Sequence, residues 1–163
     1  MTYCQLIDRN SFLCDKNRDL LKAMADIDFD ELEEELDIAI SNIYRMFIDS
    51  VIANGYDLAK FGIYGTTEAV LKGNWHLRLH LADSDPKWED EYFDFGVGDG
   101  CGNYFFLDGT DEENDQVQLW SHDPPGLEDA GSGADFFVDL LAEIAAGFKG
   151  PNRFRFQGNG DWG

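Results

Sequence analysis

The residues that most constrain the architecture run from Tyr92 to Asp123: YFDFGVGDGCGNYFFLDGTDEENDQVQLWSHD. An aromatic strand passes into glycines at every second position from Gly96 to Gly102, and a second aromatic strand begins at Tyr104. An acidic turn follows, and a third strand begins near Val117. Because glycine tolerates positive φ and close backbone approach, the pattern predicts two tight connections between three strands of a meander.

Helical patterns lie on both sides of this segment. Apolar residues recur at helical spacing in 29–37, in 42–54 after the suitable N-cap Ser41, and in 135–146. A weaker helical pattern covers 16–25. The region 29–37 is strongly acidic, which predicts that one face of its helix is solvated or binds a positively charged partner.

Three further stretches carry weaker signals. Residues 75–81 alternate between apolar and polar side chains, which predicts a half-buried strand. On a strand, His76 and His80 lie about 13 Å apart, too far to share a metal ion. Residues 124–134 are rich in Pro, Gly and Ser and predict an exposed connection, and the RFRF sequence in the tail predicts an edge strand.

Helices, then a sheet, then a helix predict an α+β fold. The 163 residues are expected to form a single domain, 1–163, with a mostly antiparallel sheet packed by N-terminal helices and one C-terminal helix. Segment 1–25 is weakly patterned and 151–163 forms a C-terminal tail. No apolar run is long enough for a membrane span, the N-terminus lacks a secretory pattern, and three cysteines lack paired metal spacing, so we expect a cytoplasmic protein.

The charge of the chain is extreme, with 33 acids against 12 bases and a net charge of −21. A nucleic-acid partner is excluded because phosphate contacts require a basic face. A strongly negative field steers cationic partners, but the same acids can simply stay hydrated and keep the protein in solution. Composition leaves both interpretations open.

No residue pattern predicts a catalytic, cofactor or metal site. The glycine run lacks the third glycine of a dinucleotide fingerprint, because Cys101 occupies that position. The acidic turn 108–115 departs from a calcium loop, since Glu113 replaces its glycine and Leu119 its bidentate glutamate. Neighbouring side chains in 121–123 (Ser-His-Asp) point to opposite faces of a strand, which argues against a triad.

Several short motifs follow one another along residues 27–146. They are Phe29, Leu32, Glu33 and Leu36, then Tyr44, Phe47, Asn54 and Gly55, then Phe93–Gly102, Tyr104–Asp108, Val117–Trp120, His122, Asp123 and Phe136. This order resembles the SUKH superfamily, found in bacterial toxin-immunity proteins and fungal cell-wall signalling proteins. Ile40-Ser41 departs from the pattern, where the family has Leu-Pro.

The resemblance implies an immunity protein, with no chemistry of its own, that binds and neutralises a cognate bacterial toxin. Many such toxins are nucleases, whose basic cleft an acidic partner can occupy. We expect a monomer without cofactors and without nucleic-acid or membrane partners. The alternatives are a signalling scaffold of the same fold and, less favoured, a carboxylate enzyme or a calcium-binding module.

The sequence places the partner-binding surface on two acidic connections. Trp88, which lies between acids of the first connection, either anchors the partner, because interface energy concentrates in buried aromatic residues, or folds onto the sheet. The acids are Asp83, Asp85, Glu89, Asp90 and Glu91 in the first connection and Asp111, Glu112, Glu113 and Asp115 in the second.

Overall fold

The computed structural model describes residues 25–99, 101–147 and the backbone of 155–156, and within them helices surround one antiparallel sheet. The predicted α+β fold is therefore confirmed. The predicted helix at 16–25 lies almost entirely outside the described residues. The elements are α1 (Phe29–Leu36), α2 (Asn42–Asn54), a 3₁₀ turn (Leu58–Phe61), α3 (Thr67–His80), β1 (Tyr92–Gly98), β2 (Tyr104–Asp108), β3 (Gln116–His122), β4 (Pro125–Ser132), α4 (Gly133–Ala145) and β5 (Arg155–Phe156).

The sheet has the strand order β4-β3-β2-β1-β5, with every neighbouring pair antiparallel. Strands β1 to β3 form the predicted meander, and β5 lies at the predicted edge. The prediction of an exposed connection at 124–134 is wrong, because residues 125–132 form strand β4, which pairs with β3. Strand β4 lies at the outer edge of the sheet, where most of its side chains are at least partly exposed. Because it buries little, its residues can be the polar and small ones that are typical of a loop.

Helices α2 and α4 cover one face of the sheet. Ser41 caps α2 as predicted, its Oγ accepting from Ile43 N at 3.3 Å. The helix ends at Gly55, whose φ of 67° is the left-handed conformation that glycine adopts without strain. Phe47 of α2 stacks on Phe137 of α4 with ring centroids 4.7 Å apart. This aromatic layer anchors both helices to the sheet.

Residues 75–80 belong to helix α3, so the predicted strand at 75–81 is wrong. Thr66 caps the helix, its Oγ1 accepting from Ala69 N at 3.2 Å. The apolar residues that alternate in sequence split between two sides of the helix, with Leu77 buried and Leu79 exposed. His76 and His80 are consequently neighbours, with ring centroids 4.2 Å apart rather than about 13 Å.

The opposite face of the sheet carries a second, smaller core beneath α3. Trp88 is fully buried there, with Leu77 and Phe106 packed around it. The ring of Trp120 completes the cluster and donates Nε1–H to Pro86 O at 2.9 Å. The interpretation of Trp88 as a partner-binding anchor is therefore wrong for this structure, because the sheet already covers its side chain.

A buried polar cluster joins α3 to β1. Asn74 pairs with both backbone groups of Asp94, accepting from its N–H at 2.8 Å and donating to its carbonyl at 2.8 Å. The Asp94 carboxyl accepts from Gly96 N at 2.9 Å and from the Tyr64 hydroxyl at 3.0 Å. The Tyr64 ring passes between Gly73 and Gly96, where a Cβ on either would come within 2.8 Å of it. Burial raises the pKa of Asp94 to about 7.

We predict that Asp94→Asn removes a pH-dependent loss of stability. The wild-type fold favours the protonated acid because burial raises its pKa from 3.8 to about 7, so this stabilisation is present below about pH 4 and lost as the pH rises through 7. Asparagine does not titrate; its Oδ1 can accept from Gly96 N and its Nδ2 can donate to the Tyr64 hydroxyl oxygen. The advantage of the variant in free energy of unfolding should grow over that range, by at most about 4 kcal/mol.

Urea denaturation at about pH 4, 5.5 and 7.5 measures the free energy of unfolding of both proteins. The difference between the two proteins removes the contribution of the other acids, which titrate in both. Asp57→Asn, at an exposed carboxylate, is the control and should show no such trend. Parallel pH profiles for wild type and Asp94→Asn would contradict the prediction.

Candidate protein-binding surface

Three acidic segments that are distant in sequence meet at one end of the sheet. Ala39 N donates to Gly109 O at 2.7 Å, and Gly109 N donates to Glu91 O at 2.7 Å. Asn42 N donates to Glu112 O at 2.8 Å. Backbone bonds therefore hold together the end of α1, the start of β1 and the β2–β3 turn. We call this region the acidic end; its carboxylates are Asp37, Glu89, Asp90, Glu91, Asp111, Glu112, Glu113 and Asp115.

The β2–β3 turn within the acidic end is ordered by its own side chains. Asp111 Oδ1 accepts from Glu113 N at 2.9 Å, and Asp108 Oδ1 accepts from Thr110 N at 2.9 Å. Ser41 Oγ donates to Asn114 O at 2.6 Å and ties the turn to the start of α2. The calcium interpretation gains no support, because across the described ranges no three His, Cys, Asp or Glu side chains are placed to share a metal ion.

Three basic side chains at or near the acidic end are each engaged with an acceptor. Arg45 contacts Glu33 at 2.7 Å and Lys87 contacts Glu89 at 3.1 Å. Arg78 Nη2 donates to Leu36 O at 2.8 Å and also to Asp90 O. Partial burial lowers the pKa of Arg78, an effect that the surrounding acids oppose. These contacts leave the surface strongly negative.

The structure separates the two halves of the first acidic connection. Glu89, Asp90 and Glu91 lie beside the β2–β3 turn, as the bond between Glu91 and Gly109 shows. Asp83 and Asp85 lie elsewhere, because Pro86 is bound to Trp120, four residues along β3 from the acidic end. At about 3.3 Å per residue this is roughly 13 Å away.

Two side chains that the sequence analysis assigned to a buried strand face are exposed on α3. Trp75 is 49% exposed and Leu79 is 75% exposed, side by side on α3. The sequence held a signal for this helix, since Thr66 precedes Glu68 and Ala69 as an N-cap precedes a first turn. The regular alternation that follows masked that signal.

The described residues place the depression, the buried carboxyl and the Ser-His-Asp run in three separate settings. A shallow depression of about 430 Å³ opens beside α1. The buried carboxyl of Asp94 is not part of it and lies sealed between α3 and β1. Ser121 Oγ donates to Pro124 O, and His122 Nδ1 lies 2.9 Å from Asn103 Oδ1, so neighbouring residues of β3 do not form a triad. The depression is lined by Asp26, Ile27, Asp28, Phe29, Asp30 and Arg45.

We predict that Gly109→Ala destabilises the acidic end. A Cβ at this position would lie 2.8 Å from Ile38 Cβ and 3.0 Å from Glu91 O, so the three segments must separate to admit it. The free energy of unfolding should fall by about 1–3 kcal/mol, the usual cost of forcing a methyl group into a packed site.

Gly126→Ala on β4 is the matched control, because nothing lies within 4 Å of the added Cβ and its stability should change little. Thermal and urea denaturation measure both variants. Equal stability of the two variants would show that the backbone contacts at Gly109 do not hold the acidic end together.

Comparison with known proteins gives one match, to a family profile. Among the described residues, no helix combines the length and apolar character needed to cross a membrane. Neither the curated proteins nor the solved structures yield a match. Residues 24–143 match the profile of the family described as SMI1 / KNR4 family (SUKH-1). This match covers well over half of the chain and nearly the same residues as the ordered motifs. The chain belongs to the SMI1 / KNR4 (SUKH-1) family.

Proposed function

We propose that this chain is an immunity protein that binds a cognate bacterial toxin in the cytoplasm and neutralises it by contact. The observation that carries the proposal is the acidic end, where backbone bonds through Gly109 bring three acidic segments together. Membership of the SUKH-1 family is consistent with a role in toxin immunity. The proposed inhibition involves no catalytic step.

The charge of the surface defines the kind of toxin. A nuclease needs a basic cleft to hold phosphate, and carboxylates on an ordered backbone can occupy that cleft in place of nucleic acid. The net charge of −21 would raise the rate of encounter with such a partner. Desolvated apolar contacts would then hold the complex, because charge acts mainly on association rate and partner choice. A monomer suffices for this role.

A signalling scaffold of the same family is the second candidate. It would use the same surface for a regulatory protein rather than a toxin. An adjacent upstream reading frame that encodes a toxin favours immunity, and its product is then the probe for binding. Growth of cells that express this product with and without the chain tests neutralisation directly.

We predict that neutralising the β2–β3 turn slows association with this product. The triple variant Asp111→Asn, Glu112→Gln, Glu113→Gln should associate about 3- to 10-fold more slowly at low salt, because exposed charge steers encounter. Its rate should also depend less on salt concentration. Stopped-flow measurements across a salt series give both quantities.

The control variant Asp57→Asn, Asp123→Asn, Glu128→Gln makes the same change in net charge at exposed carboxylates outside the acidic end. It should associate at nearly the wild-type rate. Equal slowing in both variants would indicate that total charge matters and that the acidic end is not the contact surface. Failure of the chain to bind or to rescue growth would overturn the immunity proposal.

A further inference from the structure

We propose that the exposed side of α3 around Trp75 and Leu79 is the apolar centre of the partner-binding surface. The occupant is a cationic protein surface with an apolar side chain at its middle. Its basic residues would pair with the carboxylates of α1 and of the acidic end. The inference rests on the proposed function, whose partner it describes, but it concerns residues that the charge argument does not use.

The first observation is exposure. Trp75 and Leu79 are spaced i, i+4 and therefore neighbours on the solvent side of α3, with 49% and 75% of their surface exposed. Within the described ranges, the other large hydrophobic side chains so exposed are Met46 on α2 and Leu127 on β4, each on a different element. Single exposed apolar residues are ordinary, whereas an adjacent tryptophan and leucine form a patch.

The second observation is the helix that lies beside this patch. Helix α1 runs alongside α3 in the same direction, tied near its start by Asp28 N donating to Thr67 Oγ1 at 2.7 Å. Near its end it is tied by Arg78 Nη2 donating to Leu36 O at 2.8 Å. Between these ties α1 contains no basic residue, and its exposed carboxylates are Asp30, Glu31, Glu34 and Glu35.

The third observation joins the patch to the acidic end. The Arg78 guanidinium carbon lies 5.1 Å from the centroid of the Trp75 ring, within the range of a cation–π contact. The same guanidinium donates to carbonyls of Leu36 and Asp90, and the charges of Asp37, Asp90 and Glu91 act on it. Trp75 therefore borders the acidic end, and Arg78 holds its ring against α3.

Charge complementarity selects the occupant. A second copy of this chain would bring carboxylates against carboxylates, and an anionic membrane surface would be repelled in the same way. A basic protein surface would pair with the acids and place an apolar side chain on Trp75 and Leu79. A buried aromatic anchor inside a polar rim is the usual arrangement of an interface hot spot.

The test compares three alanine variants for binding to the product of a toxin gene found next to the gene of this chain. Trp75→Ala should weaken the complex by about 30-fold or more, the change in Kd that a 2 kcal/mol hot spot gives. Leu79→Ala should weaken it by at least about 5-fold and, being mostly exposed, should leave thermal stability unchanged. Leu127→Ala, on β4 and 44% exposed, is the matched control and should bind as wild type.

Tryptophan fluorescence gives a second measurement. Trp88 and Trp120 are buried, so Trp75 should dominate quenching by acrylamide in a Trp162→Phe background. Acrylamide is uncharged and is not repelled by the negative surface. Quenching of Trp75 should be efficient in the free protein and should fall at least about twofold when the partner binds, because bound protein excludes the quencher.

Each outcome decides the inference. Loss of affinity in Trp75→Ala and Leu79→Ala, with protection of Trp75 in the complex, supports it. Unchanged affinity in both variants, while the Asp111, Glu112 and Glu113 triple variant binds more slowly, overturns it and leaves the proposed function standing. Shielding of Trp75 in the free protein, by another part of the chain or a second copy, also overturns it. Failure of the wild-type chain to bind overturns both.

Discussion

The pairing of Asn74 with the backbone of Asp94 is the contact on which the arrangement of this protein depends. One side-chain amide accepts from the N–H and donates to the carbonyl of the same strand residue, as a neighbouring strand would. It thereby satisfies two buried backbone groups and fixes α3 against β1. The position of α3 in turn sets which residues cover Trp88 and how far Arg78 reaches toward α1.

The sequence predicted those elements whose local signals agree with their tertiary surroundings. Ser41 and Gly55 mark the two ends of α2 because capping depends on residues next to the helix. The meander followed from turn chemistry for the same reason. Sequence patterns mispredict helix α3 and strand β4 because neither has a regular apolar face. Helix α3 buries Gly73 and Asn74 and exposes Trp75, and β4 lies at the sheet edge.

The sequence predicts which acids are exposed in the candidate surface, but not which of them lie together in the fold. The acids of the β2–β3 turn could be named from sequence, since turns favour exposed polar residues. That Glu91 joins them and Asp85 does not depends on long-range contacts, namely Gly109 with Glu91 and Trp120 with Pro86. The burial of Trp88 has the same origin, because its partners Phe106 and Trp120 follow it by many residues.

The acidic end is assembled by main-chain bonds, and this has a consequence for how the protein can change over evolutionary time. Glu112 and Asp90 expose their carboxylates, and each accepts a hydrogen bond at its backbone carbonyl, which every amino acid retains. Replacement of such side chains therefore need not disturb the framework that presents them. The scaffold can acquire new recognition preferences one position at a time, while its folding remains governed by interior residues.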